Sequence, residues 1–271
     1  MESFLKSAVN RNRVKRCRPM LGTFVDVSVE SRADTVAMHQ WVNEAFTLVE
    51  KVHRMMSFQE SQSDLSKLNA AAFHEPVPVH AWLWNVLQCS YDMGLRSGGS
   101  FDVAYGSPDN GSFRDIVFHP DQTITFRKPL SVDLGGIAKG FAVDVATELL
   151  ARHPFDSVCV NAGGDLRFWG EMPATVDVRD PQRPREKTRR VPLTHSAVAT
   201  SAPYFRRGGD EIVRPGNSGG AVTYSSVTVF ADTCMVADAL TKVVVLDGPE
   251  KAFPVLALYG ANMLTYDPVS A

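Results

Sequence analysis

With 271 residues, 44% of them hydrophobic, and a formal charge of -2, the chain can bury a large core and has no charge excess to draw it to nucleic acid or an acidic membrane. Cys17, Cys89, Cys159 and Cys234 are widely separated, which excludes a Cys-x-x-Cys pair or a Cys/His zinc spacing and fits a reducing compartment. No stretch reaches the roughly 18 apolar residues of a membrane span, and Lys6, Arg11, Arg13, Lys15, Arg16 and Arg18 interrupt any signal-peptide core, so a cytoplasmic chain without a membrane anchor is expected.

Residues 1–17 read as a basic leader, and residues 18–271 as the folded part. Phe24 to Val29 alternates with β-branched residues and predicts a strand. From Thr35 to Met56, apolar residues recur at helical period (Val36, Trp41, Ala45, Leu48, Val49, Val52), which predicts one long amphipathic helix. A shorter helix starts at Asp64 with Ser63 as its N-cap, and another runs from His80 to Leu95 and stops at Ser97-Gly98-Gly99. Ser100 to Gly106 has no clean period and reads as a loop over a site or as a tight crossover. Ile116–Phe118 and Thr123–Phe126 form a hairpin around Pro120-Asp121.

Next comes Val132-Asp133-Leu134-Gly135-Gly136-Ile137-Ala138-Lys139-Gly140, opening a helix that continues to Leu150. Paired glycines allow close approach to a ligand, a helix start directs unpaired N–H groups at an anion, and Lys139 adds a full charge. The combination suits a phosphate or diphosphate, although glycine turns also enter helices that bind nothing. It is neither a Walker A loop nor a Gly-x-Gly-x-x-Gly fingerprint. Farther on, Ser157–Asn161, Leu166–Gly170, Thr175–Val178 and Ser226–Phe230 read as strands, Val198–Ser201 as a short strand or turn, and Asp180 to Arg190 as an exposed loop. Thr233 to Leu246 and Pro249 to Leu258 are helices, and Asn262 to Tyr266 is a last strand. On the first of these helices Asp238 shares a face with Thr241 and Lys242.

Seven segments in this order, Leu21-Gly22-Thr23-Phe24, Ser63 to Asn69, Gly99-Ser100-Phe101-Asp102, Asp133 to Gly140, Asn161-Ala162-Gly163-Gly164-Asp165, Ala199-Thr200-Ser201 and Ala237-Asp238-Ala239-Leu240, cover most of the chain. Together they resemble the ApbE family of FAD:protein FMN transferases. The resemblance implies an α+β, T-fold-related unit of two closely packed lobes, with mixed or antiparallel sheets and flanking helices. It also implies a reaction in which FAD is split at its diphosphate, AMP is released, and FMN is joined through its phosphate to a Thr or Ser of an acceptor flavoprotein, with magnesium assisting.

By the same resemblance, Asp133, Gly135, Gly136, Lys139 and Asp144 face the dinucleotide. Asn161, Gly163, Gly164 and Asp165 form a second wall, with Thr200 and Ser201 beside it; taken alone, Gly163-Gly164 reads as a hairpin turn. Ser57, Phe58 and Asn69 match positions near the adenosine end, Phe58 standing where Tyr is frequent. Phe101 and Asp102 match a Phe-Asp-Pro-Thr element in which Val103 and Ala104 replace the last two residues. Magnesium ligands match the Ala138 carbonyl, Asp238 and a Thr four residues later, but that position is Lys242, with Thr241 the nearest hydroxyl. Lys242 is therefore expected to pair with Asp238 or a phosphate and to take part of the cation's place, the alternative being a structural surface pair. Where the family has His-x-x-Asp-Pro this chain has Glu211 to Pro215, so Glu211 is the candidate base, with an ordinary exposed loop residue equally open. A chain that binds a flavin nucleotide without transferring it is the alternative function.

Overall fold

The computed structural model describes residues 11–171, 174–180, 188–194, 196–201 and 226–266. The strands are β1 (Asn12–Met20), β2 (Thr23–Ser31), β3 (Val77–Pro78), β4 (Ile116–Phe118), β5 (Thr123–Phe126), β6 (Ser157–Ala162), β7 (Asp165–Gly170), β8 (Ala174–Arg179), β9 (Thr188–Leu193), β10 (Ser196–Ser201), β11 (Ser226–Ala231) and β12 (Asn262–Tyr266). The helices are α1 (Thr35–Met56), α2 (Asp64–Ala71), α3 (Ala81–Arg96), α4 (Ala138–Leu150), α5 (Cys234–Asp247) and α6 (Pro249–Leu258).

Alternation builds the large sheet. In β2 every second residue from Val25 to Ser31 is buried, and β6 presents Val158, Val160 and Ala162 in register with Val29, Val27 and Val25. A sheet buried on one face by helices reads as this apolar/polar alternation. Seven strands pair in the order β1-β2-β6-β7-β10-β11-β12, every pair antiparallel. α4 packs on β6 and β7, α5 on β10 and β11, and α1 lies against α4. Squeezed between α1, α5 and the sheet, α4 is buried on most sides, as its Phe141, Ala142, Val143, Ala146 and Leu150 require. The β8-β9 hairpin closes a second small apolar cluster, in which Leu193 meets Phe168 and Val198 from the outer face of the sheet.

A smaller antiparallel sheet, β3-β5-β4, sits with α2 and α3. Trp84 and Tyr91 of α3 meet Phe118 edge to face. Leu87 and Ile124 from this lobe belong to the same hydrophobic cluster as Val27, Val160 and Leu240, so the α+β architecture has one core across two lobes.

Three strands escaped the sequence. β1 begins at Asn12, inside the stretch read as a leader, β3 is only two residues long, and β9 takes up the end of the Asp180 to Arg190 stretch read as a loop. Among the described residues no helix is long and apolar enough to cross a membrane.

Candidate functional site

The Asp133–Gly140 corner is fixed first by its own backbone. Asn69 on α2 holds Val132 with both ends of its amide, donating to the carbonyl and accepting from the N–H, each at 2.9 Å. Asp133 Oδ1 accepts from the Gly135 N–H at 2.8 Å, an Asx turn that tightens the glycine corner. The Ile137 and Ala138 amides donate to the Leu134 carbonyl at 3.0 and 2.8 Å, and the Gly140 amide donates to Asp238 Oδ2 at 3.1 Å. This corrects the expectation of a helix start whose free N–H groups await an anion, because the Gly135, Ile137, Ala138 and Gly140 donors are engaged within the fold. Positive charge at the corner comes instead from side chains. Gly135 is exposed, and a Cβ on Gly136 would lie only 3.6 Å from both Lys242 Cε and Phe101 Cε2, so the lysine stem and the buried ring flank the turn.

Four charged groups alternate beside it. Lys139 pairs with Asp165 at the start of β7 and stands 4.0 Å from Asp238 Oδ2, and Lys242 pairs with Asp238 Oδ1 while donating to the Asp238 carbonyl at 3.1 Å. Asp238 is fully buried and Asp165 nearly so, whereas the side chains of Lys139 and Lys242 keep 30% and 16% exposure, so the cations form the solvent side of the cluster. Burial acts to raise the Asp238 pKa, but the two ammonium groups outweigh it and hold the carboxyl below its usual range. The surface-pair alternative for Asp238 and Lys242 is therefore excluded.

Gly140 was not singled out by the sequence, yet the cluster depends on it. A Cβ there would lie 2.3 Å from the Cys234 carbonyl oxygen and 2.8 Å from Met235 Cα, so only glycine lets α4 and α5 cross closely enough to bring Lys139 to Asp238. A glycine in the first turn of an otherwise apolar helix was the available signal.

The carboxylate of Asp144 is engaged inside the fold. Its two carboxylate oxygens accept from the Cys234 and Met235 amides at 2.8 Å, satisfying the first donors of α5, and Arg167 closes the arrangement at 3.0 Å while also reaching Glu148. Burial pushes Asp144 up to about 6, against the pull of Arg167 and the two amides. The folded chain then binds more protons than the unfolded chain between the ordinary Asp value of about 4 and that value, so the contribution of this group to stability is full below the window and is lost as pH rises through it. Urea unfolding at pH 4 and pH 7 checks this. Asp144→Asn should lose less stability than the parent over that rise, and equal losses would refute it.

The other expected residues divide. Gly163 and Gly164 form the two-residue hairpin loop between β6 and β7, with φ of 64° and 106°; Asn161 at the end of β6 accepts from the Gly164 amide through Oδ1 at 2.9 Å, and the Gly163 amide donates to the Phe24 carbonyl at 3.2 Å. Asp165 closes that loop and also accepts from the Thr200 amide at 3.3 Å. Thr200 shares its hydroxyl with Thr228 at 3.0 Å, and Ser201 shares its own with Thr241 at 2.8 Å. Asp102 organises its own loop, accepting from the Ala104 and Phe113 amides at 2.8 and 2.9 Å, and burial raises its pKa. Ser57 caps the end of α1, and Phe58 beside it is 42% exposed, a free aromatic face. Glu211 lies outside the described residues.

The donor set does not fit magnesium as expected. Both Asp238 carboxylate oxygens already meet N–H donors, and the ammonium at position 242 can only donate. Thr241 is corrected as a ligand: its buried hydroxyl donates to the Asp238 carbonyl at 2.7 Å and meets Ser201, in the packing between α5 and β10. Two unit charges about 4 Å apart interact by about 4 kcal/mol at an effective dielectric of about 20, so a dication sharing one carboxylate with an ammonium faces about twice that repulsion.

Comparison with known proteins gives a consistent family. A profile of the ApbE family matches residues 21–264. The chain is 28% identical over 303 residues to the FAD:protein FMN transferase of Treponema pallidum (strain Nichols), covering 92% of this chain and 84% of that protein. It is 24% identical over 276 residues to the FAD:protein FMN transferase of Vibrio cholerae serotype O1, covering 88% and 82%. Among solved structures, the flavin transferase ApbE from Vibrio cholerae superposes with a TM-score of 0.83 at 23% identity, covering 96% of this chain and 95% of that one. The apo flavinyl transferase ApbE of Pseudomonas stutzeri superposes with 0.81 at 17% identity, covering 97% and 95%. At these identities the structural likeness establishes the fold.

Proposed function

The chain belongs to the ApbE family, and on that premise we propose that it is an FAD:protein FMN transferase. It cleaves the FAD diphosphate, releases AMP and leaves FMN esterified to a Thr or Ser hydroxyl of an acceptor flavoprotein. The observation that carries this reading is the pair of partly exposed cations, Lys139 and Lys242, on the solvent side of the charged cluster beside the Gly135-Gly136 turn, with the Lys242 stem against Gly136. Two phosphates meeting at a backbone corner need positive charge close by, and phosphoryl transfer asks the protein mainly for position and electrostatics.

In this reading the diphosphate rests on the glycine turn. Lys139 and Lys242 neutralise its oxygens, Phe101 walls the turn, and exposed Phe58 with Ser57 receives the adenosine end. The acceptor oxygen forms a bond to the FMN phosphorus as the bond to the AMP phosphate breaks, and Glu211 takes the hydroxyl proton. Magnesium belongs to the family resemblance; Asp238 and the Ala138 carbonyl would hold it, but Lys242 already takes the Asp238 oxygens. All four cysteines are free thiols, which supports the reducing cytoplasm as the place of reaction.

The test is direct. Purified protein incubated with FAD and a Thr-bearing acceptor flavoprotein should release AMP and yield an acceptor that stays fluorescent in a denaturing gel. Tight FAD retention with neither product would replace transfer by binding alone.

A further inference from the structure

Resting on the transferase reading above, we propose that Lys242 is a built-in cation for the diphosphate, so that this chain carries out the transfer without a divalent metal. Lys242 follows Asp238 by one helical turn, and its ammonium is held by two oxygens of that residue, the carboxylate Oδ1 and the backbone carbonyl. Those are hard oxygens of the kind a divalent cation would claim. The remaining oxygen of the carboxylate takes the Gly140 amide and stands 4.0 Å from Lys139, so each oxygen of Asp238 already has a donor of this chain.

Charge arithmetic points the same way. Among the described residues, Asp165, Lys139, Asp238 and Lys242 alternate in sign and sum to zero, so these four groups carry no excess negative charge to attract a dication. With threonine at position 242 the same cluster would carry one negative charge and a neutral oxygen ligand. The position of the ammonium is also suitable: the Lys242 stem runs past Gly136, its Cγ and Cε 3.7 and 3.6 Å from where a Cβ would stand, and its side chain keeps 16% exposure. A lysine serves phosphate as a point charge. As the bond between the FMN phosphorus and the bridging oxygen breaks, its electron pair passes to the AMP phosphate. Lys242 and Lys139 offset that charge while the acceptor oxygen bonds to phosphorus and its proton leaves to the base.

Two readouts test this, one of them independent of turnover. Mn(II) titration of the FAD-loaded protein, followed by electron paramagnetic resonance, should show no stoichiometric site in the parent, and Lys242→Thr should bind Mn(II) at least about tenfold more tightly. AMP release by the parent should be unchanged by EDTA, whereas that of Lys242→Thr should fall with EDTA and recover with magnesium. A stoichiometric Mn(II) site in the parent, or AMP release abolished by EDTA and restored by magnesium, would overturn the proposal. If Lys242→Thr does not fold, the parent titration and its EDTA response decide alone. Absence of AMP under every condition would sink the transferase reading instead, and the Mn(II) titration would still judge whether Lys242 excludes the metal.

Discussion

Gly140→Ala should cost about 3 kcal/mol of stability and lower Tm by roughly 6–12 °C, although an alanine ordinarily favours a helix by up to about 1 kcal/mol over glycine. The two effects act at one position with opposite signs, and geometry decides between them. A methyl group there would stand 2.3 Å from the Cys234 carbonyl oxygen and 2.6 Å from its carbon, and these are backbone atoms that no rotamer change can move. Relief requires α5 to slide away from α4. The sliding lengthens the 3.1 Å bond from the Gly140 amide to Asp238 and draws Asp238 from Lys139, so FAD affinity should fall together with stability. Thermal denaturation and FAD titration check both. A variant as stable as the parent would show that the helices have slack, and the close crossing would then not be what assembles the charged cluster.

Legibility in the sequence tracked how local each determinant is. α1 was readable because Ala45, Val49 and Val52 fall on one helical stripe and bury themselves on one side. The Gly163-Gly164 hairpin was readable because two adjacent positive φ angles need glycine. β1 was not. It is an edge strand with a single buried side chain, Val14; its Arg13 and Lys15, and Arg11 just before it, pair with Glu30, Asp26 and Asp156, which gives the stretch the composition of a solvated leader while shielding an open sheet edge. The occupation of the corner amides was half readable, since an Asp two residues before Gly135 is an Asx-turn signal, but the partner of the Gly140 amide lies 98 residues away. The structural use of Asp144 was hidden for the same reason: its oxygens accept from the start of α5, some 90 residues on, and no local pattern reports that. The order of motifs along the chain carried the family, while the charge pairing that separates this member from the family's expected metal site required the helices to be placed.

Asp238→Asn is expected to destabilise the chain by about 3–5 kcal/mol, because it leaves two ammonium groups around a buried position without the carboxylate that compensates them. The change is nearly isosteric, and an amide oxygen can still accept from Gly140, so the loss reports charge rather than volume. A sharper result is expected from the double variant. Replacing a buried ion pair by neutral groups of similar volume is often close to neutral, so adding Lys242→Met to Asp238→Asn should restore most of the lost stability, with Lys139 retaining its pairing to Asp165. In a double-mutant cycle the coupling between positions 238 and 242 should exceed about 1 kcal/mol. pH supplies an independent sign. The Asp238 carboxyl is held below its usual range, so its contribution is present above the ordinary Asp value of about 4 and is lost as pH falls through the lower folded value; Asp238→Asn should therefore flatten the acid side of the stability profile. Simple additivity in the cycle, with an acid limb unchanged by the substitution, would mean that Lys242 is not held by Asp238 in solution and that its ammonium is free to leave the glycine corner.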